Sequence, residues 1–216
     1  MGYDAVIWDW NGTLLDDVDF SLKLLNRLLT GHGYAPLSGG LAAYRQVFRF
    51  PISEYYKDVG FDFSRTPYEA LAEEYMALYE PGSLACPLQP GARQALAALK
   101  DAGVVQVVLS ATQQEMLHRQ LAHYGLAEGT FAQVLGLSDI LGVSKARRGR
   151  EWMAGSGIDP SRALMVGDTD HDWQTARAMG ADCVLYARGH QARQVLMATG
   201  APVIDDLALL AGLVLG

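Results

Sequence analysis

Apolar positions along the chain alternate between two rhythms. Short continuous runs rich in Val, Ile and Leu predict strands over 3–10, 104–109, 163–166 and 182–186, with weaker or shorter ones over 131–135 and 202–204. Strands that are apolar throughout, rather than at every second residue, mark a sheet covered on both faces. Between them the apolar spacing is helical over 91–102, 113–124, 145–155 and 171–179. Strands alternating with helices predict an α/β fold, a doubly wound parallel sheet, and chain chirality makes its crossovers right-handed.

One interval breaks that rhythm. Between Leu14 and about Leu84 the pattern is helical only. Val18, Leu22, Leu25 and Leu29 share one helix face, which Gly31-His32-Gly33 ends. Thr66-Pro67-Tyr68-Glu69 predicts a second helix start, with Thr at the cap, Pro at the first position and Glu reaching back. Leu71, Tyr75 and Leu78 continue its apolar stripe, and Pro81-Gly82-Ser83 marks the return to the main pattern. The expected organisation is a core of residues 1–14 and 85–216, with an all-helical insert over 15–84.

Composition narrows the function classes. Half of the 216 residues are hydrophobic and 19% are charged, the balance of a globular protein. Lys+Arg is 17 against Asp+Glu 24, a net charge of −7. That charge argues against nucleic-acid and membrane partners, which require a positive field. Cys86 and Cys183 stand alone without CxxC spacing, so reduced thiols are expected. With no secretory leader pattern and no run near ~18 apolar residues, the sequence reading is a cytoplasmic protein. Oligomeric state is expected to be monomer or homodimer.

In an open parallel sheet the ligand crevice lies beyond the carboxyl ends of the strands. The first strand runs into Asp9-Trp10-Asn11-Gly12-Thr13, the second into Ser110-Ala111-Thr112, and the fourth into Gly167-Asp168-Thr169-Asp170-His171-Asp172. Lys145 opens the helix before the fourth strand. Asp9, Asp168 and Asp172 are hard oxygen donors whose mutual repulsion a cation would relieve, Mg²⁺ most naturally. Lys145 adds a fixed positive charge, Ser110 a hydroxyl, and the Asn11-Gly12-Thr13 turn a nest of free N–H groups. Together these suit a transferring phosphoryl group, with an Asp nucleophile whose repulsion of the dianion the positive charges offset.

With Asp9-x-Asn11-Gly12-Thr13, Ser110, Lys145 and Gly167-Asp168-Thr169-x-x-Asp172 in this order, the chain resembles the haloacid dehalogenase superfamily of phosphohydrolases over essentially its whole length, and within it the phosphoglycolate phosphatase-like branch. The resemblance implies a Rossmann-like core, a small helical cap in place of the 15–84 insert, and a Mg²⁺-dependent phosphatase acting on a small phosphorylated metabolite. By resemblance Asp9 is the nucleophile, and Asp9, the Asn11 carbonyl and Asp168 hold the metal. Asp172 is a further ligand or holds a metal-bound water. Thr13, Ser110, Ala111 and Lys145 form the phosphate-binding set, Thr13 also supporting the loop, and Asp9, Asn11 and Lys145 are the catalytic group.

Asn11 departs from the family pattern, which carries there a second Asp acting as general acid and base. An amide cannot shuttle a proton, and that role is worth roughly 10²–10⁴-fold. Three readings stay open. The substrate has a good leaving group, such as an acyl or aryl phosphate. Another acid serves, with Asp16, Asp17 and His171 nearest in sequence. Or the protein binds phosphate ligands with weak turnover, as a regulatory protein; within enzymes the alternative is phosphoryl transfer to a second substrate, or cleavage at another bond by the same nucleophile. Arg45, Arg49, Tyr55, Tyr56 and Lys57 cluster where the insert would close over the site, although aromatics at such spacing are usually core. Arg188-Gly189-His190-Gln191 follows the fifth strand, where it could overhang the crevice, but the simpler reading is an ordinary loop. Trp8, Trp10, Trp152 and Trp173 read as packing residues, with Trp10 placed to shape the pocket.

Overall fold

The computed structural model describes residues 2–137 and 145–216. Six parallel strands form one sheet in the order β3-β2-β1-β4-β5-β6. They are β1 (Ala5–Trp8), β2 (Val105–Gln113), β3 (Gln133–Leu137), β4 (Ala163–Gly167), β5 (Asp182–Tyr186) and β6 (Val203–Ile204). All six runs picked out by their apolar content are therefore strands, in the parallel arrangement expected.

Side chains alternate across a strand, so each strand feeds two cores. Val6, Trp8, Val108, Leu164 and Val166 pack beneath α5 (Ala92–Asp101) and α6 (Gln114–His123). Ala5, Ile7, Val107, Leu109 and Met165 pack on the other face with Met153 of α7 (Lys145–Ser156) and Ala176 and Met179 of α8 (Asp170–Met179). The residues of β1 are fully buried, as its central place requires. Two polar groups inside this core are satisfied: Gln106 accepts from the Trp8 indole at 3.0 Å, and Gln120 from the Trp10 indole at 2.9 Å. Trp10 thus belongs to the core, as expected of a packing residue, and is not among the residues lining the pocket. The ring is fully buried against Tyr124, with centroids 5.8 Å apart.

Between β1 and α5 lie α1 (Val18–Gly31), α2 (Gly40–Val47), α3 (Ile52–Asp58) and α4 (Tyr68–Ser83). They share an apolar cluster of their own, built from Leu22, Leu25, Leu28 and Leu29 with Tyr44, Tyr55, Tyr56, Phe61 and Leu71. A smaller cluster of Leu24, Tyr79 and Met116 joins them to α6. The α4 boundaries differ from expectation. Pro67, not Thr66, is the residue before the first helical turn, and the helix runs on through Pro81 to Ser83. Ser83 is tied down there, its hydroxyl bonded to the Glu80 carbonyl (3.0 Å) and receiving the Gln120 amide (2.8 Å). After β5 come α9 (Arg193–Ala198) and α10 (Leu210–Leu215). Cys86 and Cys183 are free thiols. Among the described residues, no helix is long and apolar enough to cross a membrane.

Candidate active site

The central strands β1 and β4 lie side by side, so the segments leaving their carboxyl ends meet. Asp9 follows β1, Asp168 follows β4, and Asp172 sits in the first turn of α8. One carboxylate oxygen from each lies within 4.8 Å of the others, and all three residues are buried. The close approach depends on glycine. Gly12 has φ +76°, and a Cβ there would lie 2.3 Å from Asp168 Oδ2. A Cβ on Gly167 would strike Asp172 Cβ at 2.3 Å. Neither position tolerates a side chain without moving a carboxylate.

Asp172 is fixed by a capping box, in which Thr169 Oγ1 accepts from the Asp172 N–H and Asp172 Oδ2 accepts from the Thr169 N–H at 3.0 Å. The same oxygen accepts from the Asp168 N–H and the Thr169 hydroxyl. Its other oxygen accepts from Lys145 Nζ at 2.6 Å, and that ammonium also bonds Asp9 Oδ1. Both Asp172 oxygens are thus engaged, one of them by Lys145. Burial pushes Asp9 well above the usual carboxylate range; the Lys145 charge opposes this, while Asp172 and Asp168 add to it. Burial, against the opposing His190 charge, also pushes Asp168 up to about 6. Burial works against ionised Asp172 too, yet Lys145 and Thr169 hold it below the usual range. Burial alone would lower Lys145, but Asp172 and Asp9 outweigh it and keep the ammonium charged.

A model of the haloacid dehalogenase-like hydrolases matches residues 6–186. The chain belongs to this family. It is 27% identical over 216 residues to the phosphoglycolate phosphatase of Rhodobacter capsulatus, covering 98% of this chain and 97% of that one. In structure it is similar to a predicted phosphatase from Clostridium acetobutylicum (TM-score 0.81, 22% identity, 100% and 99% of the two chains). It is also similar to Protein Tyrosine Kinase A of Mycobacterium tuberculosis (TM-score 0.80, 26% identity, 99% and 98%). The fold class and the enzyme class read from the sequence, a haloacid dehalogenase-type phosphatase, are borne out.

In this hydrolase, Asp9, Asn11, Ala111, Lys145, Asp168 and Asp172 line one cavity of about 210 Å³ between the sheet end and the helices of 18–83. Strand β2 continues past Leu109 to Gln113, and its register against β3 shifts there, which turns Ala111 and Thr112 toward the cavity. Two candidates from the phosphate-binding set have their hydroxyls otherwise engaged. Thr13 Oγ1 donates to Asp168 Oδ1 at 3.0 Å, and Ser110 Oγ accepts from the Thr112 N–H at 3.0 Å. Both are fully buried.

Asn11 is held on both ends of its amide. Its Oδ1 accepts from Thr112 Oγ1 at 2.6 Å, and its Nδ2 donates to Tyr79 Oη at 2.6 Å and to Asp17 Oδ2 at 3.1 Å. Asp17 in turn accepts from the Tyr79 hydroxyl, from the Gly12 N–H (2.9 Å) and from His190 Nε2 (3.2 Å). Burial opposes its charge, but His190, Tyr79 and Asn11 together hold it below the usual carboxylate range. Asp17 is therefore ionised and has no proton to give. Of the other two acid candidates, His171 lines the cavity, stacked on Phe50 with centroids 4.6 Å apart, and burial with the Lys145 charge lowers its pKa. Asp16 lies outside the cavity lining and accepts from Gln89 at 3.3 Å.

The loop read as ordinary holds the residue that sequence reasoning missed. The His190 N–H donates to Asp168 Oδ2 at 2.6 Å, and its ring joins Asp17 to Tyr44 Oη (2.8 Å). Burial alone would lower this imidazole, but Asp17, Asp168 and Asp9 push it up to about 9. The cationic residues of the 45–57 cluster turn away from the cavity. Arg45 donates to the carbonyls of Gly189 and Arg188, Arg49 pairs with Asp58, and Lys57 with Glu54. Tyr55 and Tyr56 from the same cluster do line it.

Proposed function

We propose that this hydrolase is a Mg²⁺-dependent phosphatase of a small phosphorylated metabolite, with Asp9 as nucleophile and residues 15–84 as a cap over the site. The observation that carries the reading is the buried triad of Asp9, Asp168 and Asp172 with Lys145 between two of them. The donor set fits a hard divalent ion, since three buried carboxylates converge within 4.8 Å and all their ligating atoms are oxygen. Asp9, Asp168 and the Asn11 backbone carbonyl would hold it, with Asp172 behind Lys145. When bound, Mg²⁺ supplies Lewis-acid stabilisation of the phosphoryl oxygens.

Asp9 attacks phosphorus, and the bond from phosphorus to the ester oxygen breaks as the carboxylate–phosphorus bond forms. The leaving oxygen departs with the electron pair. Lys145 neutralises charge on the equatorial oxygens, and the Thr112 and Tyr79 contacts keep the Asn11 amide, and with it the loop after β1, in place. Water then attacks phosphorus, the bond from phosphorus to the Asp9 oxygen breaks with its electron pair returning to the carboxylate, and inorganic phosphate leaves carrying both protons of the water. Closure of the helical cap excludes bulk water, and reopening releases product. The similarity to phosphoglycolate phosphatases supports this class.

The test is phosphate release with Mg²⁺ and with chelator, beside Asp9→Asn prepared identically. Metal-dependent release that the variant lacks is expected; release that survives Asp9→Asn overturns the reading. Asn11 favours one second reading, a phosphate-ligand binder with weak turnover. That protein would gain thermal stability from phosphate esters while releasing nothing.

A further inference from the structure

The wall of the cavity opposite the carboxylates is apolar and uncharged. Phe48, Phe50, Tyr55, Tyr56, Tyr68 and Met76 face it, and no lysine or arginine of the helical segment lines it. The cationic lining groups, Lys145 and His190, are already paired with Asp172, Asp9 and Asp17 at the phosphoryl end. A second carboxylate on the substrate would enter this wall without a partner, and burying an unpaired charge is strongly unfavourable. The volume suits a ring. An apolar cavity of roughly 150 Å³ accommodates benzene, and this one measures about 210 Å³ with the phosphoryl site included.

The other end of the same cavity constrains the leaving group. The Asn11 amide stands where the family carries its proton donor, and its N–H groups are spent on Tyr79 and Asp17. A leaving oxygen that needs no proton is one whose charge is stable by itself, as in a phenolate.

We infer that the substrate class is an aryl phosphate monoester lacking a second anionic group, its ring held by the aromatic wall and its phenolate oxygen leaving unprotonated. This rests on the phosphatase reading for its chemistry, while the shape and charge of the wall stand apart from turnover. In the transfer step the aryl oxygen takes the electron pair of its bond to phosphorus and Asp9 takes the phosphoryl group. The phenolate gains its proton from solvent after release.

Two arms test the inference on the native protein in Mg²⁺. In the first, calorimetric binding of phenylphosphonate is compared with that of phosphonoacetate, neither of which can be hydrolysed at an ester bond. Phenylphosphonate is expected to bind more tightly by at least about tenfold, given an unpaired carboxylate in the alternative. Equal affinity, or tighter phosphonoacetate, overturns the inference whatever the enzyme hydrolyses. In the second arm, kcat/KM is measured for phenyl phosphate, hexyl phosphate and phosphoglycolate. The expected order places phenyl phosphate first. Phosphoglycolate or hexyl phosphate in first place overturns the inference while leaving the phosphatase reading intact. Release from none of the three, with phenylphosphonate still preferred, overturns the phosphatase reading and leaves the aromatic site standing as a binding site.

Discussion

Replacing the Asn11 amide by a carboxylate tests whether a missing proton sets the range of leaving groups. In Asn11→Asp the new oxygen stands where Nδ2 now lies, 3.1 Å from Asp17 Oδ2. Two full charges at that distance repel by about 5 kcal/mol at an effective dielectric of about 20. One of the two carboxyls therefore keeps its proton well above the ordinary range, as in a carboxylate pair sharing a site. That proton supplies the general acid that the amide lacks, a contribution of roughly 10²–10⁴-fold for alcohols that need protonation. Turnover of an alkyl phosphate should rise toward that figure near pH 6, while phenyl phosphate, already independent of an acid, should change by less than about threefold. Stability moves with a definite sign. A carboxyl whose folded pKa is raised loses its proton more readily when unfolded, so the variant should weaken relative to wild type as pH rises from about 4. The loss is about 1.4 kcal/mol per pH unit until the folded pKa is passed. Steady-state rates for both esters, with denaturant melts across pH 4–8, read both effects. If alkyl and aryl rates rise together, or neither rises in a folded variant, the reasoning about the leaving group is wrong.

Two further predictions follow from the charged pairs. Lys145→Met leaves Asp9 and Asp172 buried against each other and should cost about 3 kcal/mol in a denaturant melt, partly recovered by Mg²⁺, with kcat down by roughly 10²–10³-fold; a melt unchanged from wild type would show that the ammonium does not hold the pair. His190, pushed up to about 9 by Asp17 once burial is overcome, contributes stability that is full below about pH 6.5 and lost as pH rises through about 9. Wild type should lose on the order of 3 kcal/mol across that window, and His190→Gln should show a flat profile; parallel profiles would contradict the His190–Asp17 pairing.

The residues legible in the sequence are those whose partners sit close by in the chain or at strand ends. Asp9, Asp168 and Asp172 could be placed together because continuous apolar runs fix which residues leave the sheet at one rim, and Lys145 because its helix precedes β4. The network around Asn11 was not legible. Asp17, Tyr79 and His190 come from three distant segments and meet only through the packing of α1, α4 and the loop after β5. No spacing encodes that meeting, and a lone His after a strand carries no signal until its Asp partner is seen. The helices α2 and α3 escaped notice for a local reason. They are only 8 and 7 residues long, too short for a helical stripe to stand out from the flanking turns. Ser110 shows the reverse case: its motif position is clear, but β2 runs on past it, and its hydroxyl accepts from the Thr112 N–H while donating to Asn11 Oδ1 at 3.4 Å.

The most direct test of the central claim asks whether the phosphoryl group passes through Asp9. Wild-type protein is mixed with phenyl phosphate and Mg²⁺, quenched in acid within the first turnover, and mapped by peptide mass spectrometry. The account predicts a phosphorylated peptide containing Asp9 that hydroxylamine cleaves and that is absent from Asp9→Asn. Phosphate release in wild type with no modified Asp9, or with the phosphoryl group on another residue, would contradict it.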